Sequence, residues 1–127
     1  MALQPVFYDP QYGFRTDDGI IQDPGDASAI PVQTGTCALT SVAAETRTLA
    51  IPEFAGQEIT LLAAAIAGQI DITVASAFTY VGDTIITMNS VGESVTLRSV
   101  YTGSAFRWQL LFNDLNGANT DTGNGLT

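Results

Sequence analysis

Histidine and lysine are missing from this 127-residue chain, and cysteine occurs once. Each gap removes a class of chemistry. Without His, general acid–base work would fall to carboxylates, and Cys37 would lack the base that usually activates a nucleophilic thiol. Cys37 therefore reads as a small buried hydrophobe, and a lone cysteine cannot form an intrachain disulfide. Four Arg are the only basic side chains against thirteen acids, for a net charge of −9. Such a chain has no basic stripe to displace counterions from phosphate, so no nucleic-acid partner is expected. An anionic membrane surface would repel it. The longest apolar run, LLAAAIAG from Leu61 to Gly68, falls well short of the ~20 residues that span a bilayer, so no membrane partner is expected either. The N-terminal MALQPVFYDP lacks a basic region followed by an apolar run. A soluble chain made in the cytoplasm without a signal peptide is expected.

The motifs of catalysis are also missing. No Ser sits in a nucleophile elbow, and no Gly-rich phosphate loop joins a strand to a helix. Glu45, Glu53, Glu58 and Glu93 fall at turns or strand starts, where solvated carboxylates are ordinary. Two clusters carry hard oxygen ligands of the kind calcium takes: Asp17, Asp18, Asp23 and Asp26, and Asp114, Asn116, Asn119 and Asp121. The second misses the order of an EF-hand loop, because Gly117 comes too early. No catalytic residue, metal or cofactor is assigned, and the chain is not expected to be an enzyme.

What is present is apolar and strand-like. In FRWQLLFN, Phe106 to Asn113, the residues Phe106, Trp108, Leu110 and Phe112 recur with a period of two. That spacing puts all four on one strand face. A buried aromatic covers ~150–250 Å², so this strand should supply much of the core. Upstream, Thr36–Thr40 and Thr46–Ile51 are strand candidates, the latter with Leu49 and Ile51 on one face and Arg47 set on the other. Pro52 ends it. Gln57–Ala67 and Gln69–Ala75 flank Gly68, which suggests a hairpin. Ser76–Asp83 reads as a loop bearing the exposed aromatics Phe78 and Tyr80. Thr84–Met88 and Ser94–Tyr101 complete the set, the last with Val95, Leu97 and Tyr101 opposite Arg98. Consecutive strands with short links pair antiparallel, so the expected fold is all-β: a compact antiparallel β-sandwich or small barrel over residues 36–114. A flexible polar tail, 115–127, follows it.

Residues 1–35 differ in composition. Pro5, Pro10, Pro24 and Pro31 and the turn pairs Asp9-Pro10 and Asp18-Gly19 break regular structure. Yet the block holds Val6, Phe7, Tyr8, Tyr12 and Phe14, and disordered segments are usually poor in aromatics. An extended N-terminal arm is expected, one that docks these residues on another subunit or partner or packs them on its own domain. A body of about eighty residues is small enough that oligomerisation would help stabilise it. Among the arginines, Arg47, Arg98 and Arg107 are candidates for ion pairs across a subunit contact, for which Arg is better suited than Lys.

One longer pattern adds to this. Glu45-Thr46-Arg47-Thr48-Leu49, Pro52 and Phe54-Ala55-Gly56-Gln57 precede Ile59-Thr60-Leu61. Then come Ile72-Thr73-Val74-Ala75, Gly82-Asp83-Thr84, Gly92, Val95-Thr96-Leu97, Phe106-Arg107-Trp108 and Asn113-Asp114. Over about residues 40–114 the chain resembles a module of tailed-bacteriophage structural proteins, chiefly small head decoration or capsid-stabilising (cement) proteins. The resemblance implies a virion component on the outer capsid surface. Its partners would be the major capsid protein and further copies of itself, as a homotrimer. The arm residues Val6, Phe7, Tyr8, Tyr12, Phe14 and Arg15 would then contact the shell, an expectation that joins the arm's composition to the resemblance. The competing expectation is a tail-fibre or receptor-binding module in which Phe78, Tyr80 and Trp108 stack on carbohydrate.

Overall fold

The computed structural model describes residues 19–115 and 125–127 fully, and the backbone alone of 7–9 and 13–15. Every regular element among the described residues is a strand. In chain order they are β1 Phe7–Asp9, β2 Gly13–Arg15, β3 Ile20–Ile21, β4 Ser28–Ala29, β5 Gly35–Ser41, β6 Glu45–Leu49, β7 Glu58–Ile66, β8 Ile70–Val74, β9 Ile85–Met88, β10 Ser94–Tyr101, β11 Phe106–Asp114 and β12 Gly125–Leu126. β1 and β2 form a separate antiparallel pair, with Tyr8 opposite Phe14. The others form two five-stranded sheets, ordered β11-β10-β7-β5-β3 and β12-β9-β8-β6-β4. Both sheets are open and neither closes into a barrel.

The pairing is not the antiparallel meander that short links suggest. From β3 to β8 each link carries the chain across to the opposite sheet instead of folding it back alongside. Strands two apart in sequence therefore become neighbours, and they run parallel: β3 with β5, β5 with β7, β4 with β6, β6 with β8. The crossover that a parallel pair requires is here a strand of the other sheet. Within the two large sheets, antiparallel pairing among the described strands is confined to β8–β9, β7–β10 and β10–β11. Gly68 accordingly makes no hairpin. It is a crossing point where β7 passes to β8 close against the β5–β6 turn. A Cβ there would lie 2.3 Å from the Ala43 carbonyl carbon. Its carbonyl accepts from the Ser41 hydroxyl at 2.5 Å, and its N–H donates to the same oxygen at 3.2 Å.

The inward residues of both sheets form one hydrophobic cluster. Cys37, Leu39, Ile59, Leu61, Val95, Leu97 and Trp108 come from one sheet, and Leu49, Ile70, Ile72, Val74, Ile86 and Met88 from the other. Alternation with Thr produces this, since Thr36, Thr40, Thr46, Thr48 and Thr73 lie on the exposed side. Residues 19–35, expected in the arm, are part of this body. Ile21 and Ile30 are buried in the cluster, beside β3 and the end of β4. The last residues also reach it: Leu126, on β12, is buried beside β9.

In β11 one residue alters the expected face. Trp108 is fully buried, and its indole N–H donates to the Ala50 carbonyl at 2.8 Å, tying one sheet to the other. Phe112 is 54% exposed. The register explains the difference. Leu97 pairs with Leu110 but Thr96 pairs with Phe112, so Leu111 is an extra residue. Such a bulge shifts every later side chain to the opposite face. Phe112 joins Thr96 outside, and Asn113 takes the inward place opposite Val95. Phe106, at the open end of the strand, is only half-buried and packs against Tyr101 with ring centroids 5.1 Å apart and the rings tilted by 50°.

Arg47 likewise lies on the unexpected side. Its position has the same parity as Leu49, and it points inward with it, fully buried. Ile51 lies past the strand and is exposed. The guanidinium is held on several sides. Its Nε donates to Asp23 Oδ1 at 2.9 Å and its Nη2 to Asp23 Oδ2 at 3.2 Å. Nη2 also meets Glu45 Oε1 at 3.0 Å and the Thr40 carbonyl at 2.9 Å, while Nη1 donates to the Thr46 carbonyl at 3.0 Å. Asp23 further accepts from the N–H groups of Gly25 and Thr40. Partial burial pushes the Asp23 carboxyl up, but the Arg47 hydrogen bonds, the two N–H groups and the Arg47 charge together hold it below its usual 3.8.

Two expectations follow. Removing one partner of a buried ion pair costs about 3–5 kcal/mol, so Asp23→Ala should lower unfolding stability by about 3 kcal/mol at neutral pH. A depressed carboxyl stabilises the fold above its unfolded pKa, and that contribution is lost as pH falls through the folded value. The gap between wild type and Asp23→Ala in urea unfolding should therefore close as pH drops below about 3.8. A gap that widens in acid would contradict the assignment. In β11, Trp108→Ala should cost about 3–5 kcal/mol, whereas Phe112→Ser should stay within about 1 kcal/mol. Equal losses would mean that Phe112 lies in the core.

Candidate interaction surface

No constellation of catalytic type is assembled among the described residues, and no group of three or more His, Cys, Asp or Glu is placed to hold a metal ion. Several of the carboxylates are occupied with the backbone, a neighbouring hydroxyl or Arg47. Glu93 is buried and accepts from the N–H groups of Asn89 and Ser90, both at 2.6 Å. Glu45 takes the Val42 N–H at 2.8 Å as well as Arg47. Asp83 accepts the Thr79 hydroxyl at 2.7 Å and shapes the loop before β9. Of the acidic cluster near the N-terminus, Asp23 is bound to Arg47 and Asp26 accepts the Thr46 N–H at 3.0 Å. Asp17 and Asp18 lie outside the described residues, as do Asn116, Asn119 and Asp121. Burial, with the Asp23 charge adding to it, pushes the Cys37 thiol up to about 11. A thiol that is almost wholly protonated at neutral pH is a poor nucleophile.

The three aromatics that a carbohydrate platform would need do not share a surface. Phe78 and Trp108 are fully buried, while Tyr80 is 96% exposed. Phe78 is inside because its loop folds over the β11 edge, where the Leu110 N–H donates to the Phe78 carbonyl at 2.8 Å. Tyr80 stands out of the same loop beside exposed Val81.

The arginines separate in the same way. Arg47 is inside, where the chain's own oxygens take up its donors. Arg98 and Arg107 are on the outer face of β10–β11, because Val100 pairs with Arg107 and Arg98 with Gln109. Arg98 meets Glu58 only at 4.0 Å, with both side chains about half exposed, a geometry worth little in water. Arg107 donates from Nη2 to Gln109 Oε1 at 2.9 Å, and its Nε is buried without an acceptor. The bulge adds Phe112 to this face, one same-face step beyond the Arg98–Gln109 pair and two beyond Arg107, so that two cations and an exposed aromatic ring lie on one side of the strand pair. Sequence reasoning found the arginines but missed Phe112, since a bulge leaves no mark in the spacing of apolar residues.

Of the expected arm, Phe7, Tyr8, Phe14 and Arg15 lie on the β1–β2 hairpin, whose strands pair with no other described strand. Val6 and Tyr12 fall outside the described residues. The hairpin register places Phe7 opposite Arg15.

Comparisons with protein-family models, with curated proteins and with solved structures returned no match.

Proposed function

We propose that this chain is a structural protein, without enzymatic activity, that binds the outside of a bacteriophage capsid and stabilises it. The compact β-sandwich is the body, and the N-terminal hairpin is the element that contacts the major capsid protein. The body associates with further copies of itself, as a homotrimer on the shell. One observation carries the reading: β1 and β2 pair with each other and with no other described strand. Strand pairing within the two large sheets begins at Ile20. The stretch before it holds Phe7 and Tyr8 on β1 and Phe14 on β2, and its sequence adds Tyr12. A lone two-stranded hairpin is marginal in water, so its aromatics gain most by burial against a partner. The resemblance over residues 40–114 supports a shell as that partner.

Stabilisation then follows from linkage. A protein that binds only the assembled lattice protects it by about 2.7 kcal/mol per site when its free concentration is a hundredfold above Kd. Repeated sites on one lattice add avidity. Nothing in this role requires a nucleophile, a metal or a cofactor, and none is proposed.

Removal of residues 1–17 tests the reading and spares Ile21, Asp23 and Ile30, which belong to the body. The shortened chain should melt within a few degrees of the full chain and fail to co-sediment with emptied phage heads. Full co-sedimentation of the shortened chain would remove the hairpin from the binding site. Failure of the intact chain to co-sediment would remove the capsid.

A further inference from the structure

The sandwich has two unlike ends. β5 and β7 run parallel and β10 runs antiparallel to them, with Gly35, Ile59 and Leu97 in register. The start of β5, the start of β7 and the end of β10 therefore lie together. The links 30–34, 50–57, 75–84 and 102–105 belong to this end, and 22–27, 42–44, 67–69 and 89–93 belong to the opposite one. Charge divides unevenly between them. The four links of the first end hold two charged residues, Glu53 and Asp83, and Asp83 is buried. The opposite end holds Asp23, Asp26 and Glu93 in its links, with Glu45 and Asp114 on adjoining strand ends.

Apolar exposure runs the other way. Ile51, Phe54, Tyr80, Val81 and Tyr101 are exposed at the weakly charged end, against Val42 and Val91 at the acidic one. Their loops are fixed in advance. The Glu53 N–H donates to Gln57 Oε1 at 3.0 Å and the Gly56 N–H to the Ser99 carbonyl at 3.2 Å, which holds the Phe54 turn against β10. The Gly82 N–H donates to the Thr79 carbonyl at 3.2 Å, and the Thr79 hydroxyl to Asp83 at 2.7 Å, which closes the turn that carries Tyr80. Exposed aromatics on a preformed, weakly charged surface suit the core of a protein contact, because little ordering and little desolvation of charge oppose their burial.

The N-terminal segment leaves the body at this same end. β3 runs parallel to β5, with Ile20 beside Thr36, so the chain before it continues past the start of β5. Gly19 fixes the point of exit. Its carbonyl accepts the Thr36 N–H at 2.8 Å, and a Cβ on Gly35 would run into that carbonyl. Arg15, which ends β2, is four residues from Gly19, at most ~14 Å of extended chain. A partner that holds the hairpin is therefore brought close to this end of the body. We propose that the weakly charged end is the body's own half of the surface that meets the major capsid protein, the loop aromatics and the hairpin binding one apolar region of the shell together. The inference rests on the capsid reading and adds an orientation to it: the strands stand end-on to the shell, with the acidic end outward.

The test is co-sedimentation of the full-length protein with emptied phage heads over a range of concentrations. Phe54→Ser/Tyr80→Ser should weaken binding about tenfold or more, as the loss of aromatic anchors does. Val42→Ser/Val91→Ser, at the opposite end, should bind within about twofold of wild type. All four side chains are exposed, and urea unfolding of both variants should match wild type. Binding by Phe54→Ser/Tyr80→Ser equal to wild type, or equal weakening by the two pairs, overturns the end-on orientation and leaves the capsid reading standing. A wild type that does not sediment with heads removes the capsid and this surface with it. Sedimentation velocity without heads is run on the same proteins. A wild-type oligomer that Phe54→Ser/Tyr80→Ser converts to monomer would assign this end to a second copy and overturn the proposal.

Discussion

A buried guanidinium, Arg47, is the constraint on which the N-terminal half of the body depends. β3 and β4 contribute two residues each, too few ladder hydrogen bonds to hold an edge alone. Asp23, between them, reaches Arg47 on β6 and the Thr40 N–H on β5. One carboxylate thus fastens the first pass of the chain to the next two. The arrangement is costly, since both ions lose solvation. It is tolerated because the recorded guanidinium donors all meet oxygen: two from Asp23, one from Glu45 and the carbonyls of Thr40 and Thr46. A hydrophobic side chain at Arg47 could fill the same space. It could not specify which segment lies over it, and Asp23 is reached across twenty-four residues of chain.

That fastening matters because of how the two sheets are wound. From β3 to β8 the chain alternates between sheets, so each pass leaves its inward face uncovered until the next pass is laid down. At the antiparallel end, β8–β9 and β10–β11 each pair with the strand next in sequence, the second pair across a short turn. The parallel end has no such closure and relies on side chains: Arg47 with Asp23, the Ser41 hydroxyl with Gly68, and the apolar residues Ile21 and Ile30. Trp108 connects the two regimes. Its ring fills the cluster from the antiparallel end, and its N–H is bound to the carbonyl of Ala50, just past β6 of the other sheet.

The strands themselves were legible in the sequence, and the links were not. Alternation of Thr with Leu, Ile and Val marks β5, β6, β8 and β10 because each has one wet and one dry face. Nothing in that alternation says whether the following strand lies beside or across, and the preference of short links for hairpins pointed the wrong way. Gly68 illustrates the problem: a glycine between two apolar runs suits a tight turn, and it equally suits a backbone crossing that no Cβ would permit. Arg47 was legible by parity with Leu49, but a charge on an inward position looks out of place until Asp23 is known to reach it. Phe112 required the bulge at Leu111, which no local composition announces. Asp23 and Ile30 were assigned to an arm because Pro and Asp surround them, although those turns serve to route the chain between sheets.

These misreadings bear on where a partner can attach. An exposed sheet edge invites strand addition, but at β11 the loop before β9 covers the middle of the edge, and the Leu110 N–H is already used by Phe78. What stays open is a face. The outer sides of both sheets are dressed largely with threonine, which favours strands and adds no charge. Formal charge on the outer side of β10–β11 is confined to Arg98, Arg107 and Asp114, with Glu58 on neighbouring β7. In a chain of net charge −9 this face stands apart, because its two cations balance its two carboxylates and an exposed aromatic ring lies on the same side. The bulge that takes Phe112 out of the core is what puts the ring there. A single inserted residue in the strand therefore costs the interior one aromatic side chain and sets that ring on the outer face.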